Sequence, residues 1–232
     1  MNVAFIPVRG GSKSIPLKNI RLMAGKPLVY WTTKAACECS RIDKVYVCTD
    51  SHEIHQAVRG FAVSEPVFSK LDVIGRSAES ASDTAPTESV LLEFAERHDF
   101  SHVALVQATS PLLVAKDLER GFELLGQPAT DSVISVVRQC RFNWVYDEDG
   151  NIHPTNYDVF HRPRRQDFDG YLVENGAFYI TSRECLLSSR NRVSGNIKAV
   201  EMTADTFLEI DEPFDWQVIE LLMEKRIRTC GK

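Results

Sequence analysis

The sequence predicts an α/β fold with a doubly wound, mainly parallel (mixed) sheet, and three observations predict it. Short apolar runs alternate with helix-period segments from Val3 to Arg138. Each run closes on a Gly, Asp, Ser or Pro turn. The residues with chemical potential follow the runs, where ligands lie in open parallel sheets. With 232 residues and 44% hydrophobic content, the chain can bury one sizeable core, so residues 1–232 are read as a single domain.

Val3-Ala4-Phe5-Ile6-Pro7 reads as a buried first strand that feeds a loop at Gly10-Gly11. Pro27 to Cys39 has helical character, with Pro27 near a first turn. A second strand, Val45 to Thr49, ends at Asp50-Ser51. Thr84 to His98 places Val90, Leu91, Phe94 and Ala95 on one helical face, with Asp83 as N-cap. Strand His102 to Gln107 follows, and the turn Ala108-Thr109-Ser110-Pro111 opens a helix with Leu118, Phe122 and Leu125 at i, i+4 and i+7. Strand Ser132 to Arg138 comes next. Alternation of this kind implies parallel strands joined by helices.

Regularity fails over residues 139–170, where Trp144, Tyr146, Tyr157, Phe160 and Arg162-Pro163-Arg164-Arg165 sit among turn residues. Such an excursion serves function or association, its aromatics packing either on a partner subunit or on one another. Order resumes with strand Ala177 to Ile180, a helix, a strand near Lys198 to Met202, and a last helix from about Phe214 to Ile227.

Charged residues make up 25% and the net charge is −5, so there is no general attraction to nucleic acid or anionic membrane. An anionic ligand must be held by a local cluster. The chain has neither a basic n-region with a long apolar stretch at Met1 nor an apolar run of about 18 residues, which reads as soluble and cytoplasmic. Six cysteines without C-x-x-C spacing read as reduced thiols. His52 and His55 would share a helix face, as a surface pair or a metal pair.

The loop Arg9-Gly10-Gly11-Ser12-Lys13 extends to Lys18-Asn19. Two glycines let backbone N–H groups approach an anion while Arg9, Lys13 and Lys18 add charge, a setting that suits a triphosphate; a glycine turn with solvated basic residues is the blander alternative. Neither G-x-G-x-x-G nor a Walker Gly-Lys-Ser/Thr is present, which argues against hydride transfer and P-loop ATPase chemistry.

Arg9-Gly10-Gly11-Ser12-Lys13, Pro16-x-Lys18-Asn19 and Gly25-Lys26-Pro27-Leu28 together resemble the signature of the acylneuraminate cytidylyltransferases, or CMP-sialic acid synthetases. Thr49-Asp50-Ser51, Gln107-x-Thr109-Ser110-Pro111-Leu112, Glu174-Asn175-Gly176-Ala177-Phe178-Tyr179-Ile180 and Ile210-Asp211 with Asp215 match in order along almost the whole chain. The resemblance implies a nucleotide-diphospho-sugar transferase-like fold in which residues 139–170 serve dimerisation and acceptor contacts. It also implies a reaction: the anomeric hydroxyl of a nine-carbon acidic keto sugar attacks the α-phosphorus of CTP, and pyrophosphate departs.

By the same match Arg9, Lys18 and Asp211 are catalytic, and Arg9, Gly10, Gly11, Ser12, Lys13, Lys18, Asn19, Arg76 and Ser82 hold the nucleotide. Arg76 and Ser82 could instead be a surface arginine and a residue near a helix cap. Gln107, Arg164, Gln166, Asn175 and Tyr179 would meet the sugar, the guanidinium suiting its carboxylate. Asp211 would hold Mg²⁺, with Glu209 as a second ligand where the family carries aspartate; if Phe207 to Ile210 is a strand, 209 and 211 share a face. The alternative for Asp211 is the N-cap of the last helix. A homodimer is expected.

Val8 and Ala108 stand where the family usually has alanine and proline, and legionaminic and pseudaminic acids are activated by close relatives, so the resemblance leaves the acid open. Two rival readings are an NDP-hexose-forming nucleotidyltransferase of the same fold and a non-catalytic nucleotide-sugar binding module.

Overall fold

The computed structural model describes residues 1–11, 14–82 and 84–230, Cys230 as backbone alone. Ser12 and Lys13 of the glycine loop and the expected cap Asp83 lie outside the described residues.

The apolar run of the first strand becomes β1 (Asn2–Pro7), an interior strand of a seven-stranded sheet. Its alternate side chains serve two cores. Ala4 and Ile6 join α1 (Leu28–Glu38), α2 (His52–Ser64) and α4 (Ala115–Leu125) on one face. Val3 and Phe5 meet α3 (Thr87–Arg97) on the other, where Phe5 stacks on Phe94 with ring centroids 4.5 Å apart. Burial on both faces is why this strand carries no polar side chain between its ends.

The small pair β2 (Leu22–Met23) and β3 (Lys26–Pro27) precedes α1. β4 (Lys44–Thr49) pairs with β1, and β5 (Leu71–Gly75) with β4, both in parallel. β6 (His102–Val106) flanks β1 on its other side. β7 (Ser132–Gln139) leads to a hairpin of β8 (Trp144–Tyr146) and β9 (Ile152–Pro154) in the excursion. β10 (Tyr171–Ser182), α5 (Arg183–Ser189), β11 (Ile197–Met202) and α6 (Pro213–Cys230) complete the chain. The sheet order is β11-β7-β10-β6-β1-β4-β5, and β10 alone runs antiparallel to its neighbours.

The expected mainly parallel, mixed sheet is therefore present, with four differences. α3 begins at Thr87 rather than Thr84, because Pro86 disfavours helical geometry at Ala85 and occupies the N-cap position itself. α2 and β5 were not expected. β10 reaches back to Tyr171 and kinks, with a register shift between Glu174 and Tyr179 and Gly176 at φ +61°. The segment Phe207 to Ile210 is not a strand: β11 ends at Met202 and a short 3-10 turn follows at Ala204–Thr206. Ile210 is instead buried against Trp216 and Ile219 of α6.

Some aromatics of the excursion pack on one another and others stay exposed. Phe142 packs on Tyr157 at 4.4 Å and on Phe168 at 5.0 Å, with Arg162 over its ring. Tyr146 and Phe160 remain 79% and 92% exposed. His52 shares a hydrogen bond with Gln56 on α2. Among the described residues no helix is long and apolar enough to cross a membrane, and the five described cysteine side chains are unpaired.

Candidate functional site

Parallel strands that end together leave a crevice beyond their carboxyl ends, and the cavity here, of about 450 Å³, lies there. The end of β1 and the loop after it supply Pro7, Val8 and Arg9, and the β5–α3 connection supplies Arg76, Ser82 and Ala85. Thr87 and Val90 come from α3, Gln107, Ala108 and Thr109 from beyond β6, and Asp211 from the segment before α6. Seven of the residues singled out in the sequence thus share one cavity: Arg9, Lys18, Asn19, Arg76, Ser82, Gln107 and Asp211.

The glycine loop is shaped by its neighbours. Gly10 N–H donates to Asp50 Oδ1 at 3.1 Å, and Asn19 Nδ2 donates to the Arg9 carbonyl at 3.1 Å, tying the loop to the turn that bears Lys18. Leu17 takes a left-handed conformation, φ 51° and ψ 31°, and caps the short 3-10 turn Lys18–Ile20. A leucine there costs about 1–2 kcal/mol, a strain typical of functional loops. Lys18 is directed inward, its side chain 12% exposed, and its Nζ donates to the Ile210 carbonyl at 2.6 Å and stands 3.5 Å from Asp211 Oδ1. One ammonium thus joins the first loop to the last.

Asp211 is not the helix cap. Asp215 accepts from the N–H groups of Asp211 and Glu212, at 3.0 and 2.8 Å, while Ser14 Oγ donates to the Asp211 carbonyl. The Asp211 carboxylate is left 75% exposed at the cavity. Glu209 turns away to lie against Gly176, where its carboxyl occupies the space a Cβ would need. Burial, reinforced by Asp211 and opposed by Lys18, pushes the Glu209 carboxyl up to about 7. Replacing Gly176 with alanine meets two obstacles, the positive φ and the Glu209 carboxyl. A loss of about 1–3 kcal/mol in unfolding free energy is expected, readable by urea denaturation.

Arg76 donates to the Ser80 carbonyl, and burial lowers its pKa. Of the expected acceptor residues, Gln107 lines the cavity, its N–H donating to the Ala177 carbonyl at 3.1 Å. Tyr179 donates to Glu174 Oε2 at 2.8 Å beneath the Arg192 guanidinium, and burial raises its pKa. Asn175 is fully buried and does not line the cavity; its Nδ2 donates to Thr206, because the kink in β10 turns it into the core. Arg164 and Gln166 stand on the excursion, Arg164 80% exposed and 3.9 Å from Asp167, away from the cavity lining.

Sequence reading passed over Ser14, Thr87 and Thr109. Thr109 Oγ1 is buried in the cavity wall without a hydrogen-bond partner among the described residues. Its place two residues beyond Gln107 at a strand end was the available signal.

The family model described as cytidylyltransferase matches residues 3–215. The chain belongs to that cytidylyltransferase family. It is 37% identical over 222 residues to N-acylneuraminate cytidylyltransferase A of Danio rerio, a match covering 94% of this chain and 49% of that protein. It is 30% identical to CMP-N,N'-diacetyllegionaminic acid synthase of Legionella pneumophila, covering 96% of each. Against several of its curated relatives, the Danio rerio protein among them, this cytidylyltransferase-family chain spans about half the length. In fold it is similar to CMP:2-keto-3-deoxy-manno-octonic acid synthetase complexed with CTP, with a TM-score of 0.73 at 20% identity over 97% of this chain and 99% of that one.

Proposed function

We propose that this protein transfers the cytidylyl group of CTP to an acidic nine-carbon keto sugar of the sialic acid type. The observation that carries the reading is the convergence of Arg9, Lys18 and Arg76 with Gln107 and Asp211 on one cavity at the strand ends. The names of the relatives, which act on acylneuraminate or diacetyllegionaminic acid, support the acceptor class.

The anomeric oxygen forms a bond to the α-phosphorus as the α–β bridging bond breaks and pyrophosphate leaves, the hydroxyl proton passing to solvent. No protein nucleophile is needed, so the chain's task is placement and charge. Arg9, Lys18 and Arg76 offset the triphosphate charge and its growth on the leaving group. Gln107 faces the acceptor, whereas Tyr179, buried and bonded to Glu174, stands outside the cavity lining. Arg164 and Gln166 would meet its carboxylate from the excursion.

The chemistry around Asp211 fits Mg²⁺. Among the described residues no three His, Cys, Asp or Glu side chains group to hold a metal alone, but Mg²⁺ is commonly held by one or two carboxylates with substrate phosphates. Asp211 is open to the cavity, and the buried Glu209 carboxyl would gain from a cation nearby. When bound, the ion would draw charge from the phosphate oxygens and make the sugar hydroxyl more acidic.

Pyrophosphate release measured with Mg²⁺, each of the four NTPs, and either nine-carbon keto acids or hexose 1-phosphates tests the reading. Release with CTP and a nine-carbon acid is expected. Release with a hexose 1-phosphate alone would favour the NDP-hexose rival, and binding without turnover the non-catalytic one. We further propose a cytoplasmic homodimer joined through the excursion, whose exposed Tyr146 and Phe160 suit a subunit contact. Sedimentation showing only monomer at micromolar concentration would refute the dimer.

A further inference from the structure

Arg76, with Val90, lines two cavities. One is the cavity with Lys18 and Gln107; the other is a second space of about 430 Å³, lined by Cys48, Ile74, Val90, Glu93 and Phe94. A long cation that borders two voids keeps its direction only if something holds it. Its Nε is buried without a hydrogen-bond partner among the described residues, and its Nη2 donates to the Ser80 carbonyl.

That carbonyl is itself held through a short relay. Ser80 N–H donates to Ser77 Oγ at 3.1 Å, and the Ser80 hydroxyl donates to the Ser77 carbonyl at 3.2 Å. Ser77 in turn donates twice to Glu93, from its N–H to Oε1 at 3.1 Å and from its hydroxyl to Oε2 at 2.8 Å. Glu93 stands on α3 with its side chain 14% exposed, does not line the first cavity, and pairs outward with Arg97 at 2.8 Å. The turns beyond Ser80 start from the same anchor, since Ala81 N–H donates to the Ser77 carbonyl and Ser82 follows into the cavity wall.

We propose that Glu93 is a positioning residue for nucleotide recognition: through Ser77 and Ser80 it fixes the carbonyl that keeps Arg76 turned toward the nucleotide cavity and away from the space behind it. The proposal rests on the reading of that cavity as the CTP site. Glu93 touches no substrate; its influence passes through two serines.

Glu93→Ala is expected to raise the KM for CTP about tenfold, the effect of misplacing one charge-assisted contact, with kcat within about twofold of wild type. Glu93→Gln, which keeps an acceptor for Ser77, should recover most of the loss. Arg97→Ala, which removes only the outer partner of Glu93, should leave KM within about twofold. Because residues in one relay are not additive, the double variant Ser77→Ala/Glu93→Ala should bind CTP no more weakly than the weaker single variant.

Hydrogen exchange on the protein without nucleotide supplies a readout independent of turnover: the amides of Ser77 and Ser80 should lose protection in Glu93→Ala while those of α4 do not. If Glu93→Ala is too unstable to purify, Ser77→Ala breaks the same relay from the loop side without altering α3. Should wild type fail to bind CTP by titration calorimetry, the reading of the cavity falls and takes the proposal with it. Should wild type bind CTP and the variants bind equally well with unchanged exchange, the proposal alone is overturned.

Discussion

Replacing Lys18 with alanine is expected to lower kcat/KM for CTP by about a hundredfold or more while leaving the far-ultraviolet spectrum unchanged. The ammonium is mostly shielded from water, so a triphosphate oxygen that meets it does so where screening is weak. One charge-assisted hydrogen bond is worth about 1.5–3 kcal/mol, or ten- to a hundred-fold in rate. Lys18 does more than supply charge, because its bond to the Ile210 carbonyl sets the chain just before Asp211. Losing it therefore weakens phosphate binding and loosens the carboxylate opposite. Arginine should not rescue: its planar fork is bulkier than the point charge that fits beneath Ile210. Steady-state pyrophosphate release decides the matter, and a fall of under about threefold would remove Lys18 from the machinery.

Asp211→Ala should reduce kcat by about a hundred- to a thousandfold, with CTP binding in metal-free buffer little changed. The fold should survive because the backbone around residue 211 is held without the carboxylate: Asp215 receives its N–H and Ser14 Oγ reaches its carbonyl. What is lost is the carboxylate that faces the cavity. Titration with Mg²⁺ separates this from a general defect. The variant should need far more Mg²⁺ for half-maximal rate, or show no saturation, whereas a variant with unaltered Mg²⁺ dependence would show that Asp211 does not hold the ion.

Much of the fold was legible in the sequence, for a physical reason. Buried parallel strands must be continuously apolar, and Val3 to Ile6, Val45 to Cys48 and Val103 to Val106 announce themselves in that way. Residues at the ends of such strands converge in space whatever lies between them, so Arg9, Arg76 and Gln107 meet although far apart in the chain. Where local pattern and tertiary packing disagreed, the pattern misled. Phe207 to Ile210 is mostly apolar, as a buried strand would be, yet it forms no strand and Ile210 is drawn into the cluster with Trp216. Asn175 precedes a kink that breaks side-chain alternation, so its orientation could not be counted from Tyr179. Glu93 has no local signature at all, since its connection to Ser77 exists only once α3 packs beside β5.

The strand β10 begins where the excursion ends and runs into the core, and its first residue, Tyr171, pairs with Gln139, the last of β7. The excursion therefore leaves and re-enters the sheet through adjacent, hydrogen-bonded positions. A segment sealed at its root in this way can be lengthened, shortened or exchanged without altering the register of β6 or β1. On the proposed reading, descendants of such a chain could try new partners for the sugar at little risk to the nucleotide site, and one scaffold could diversify toward many acids.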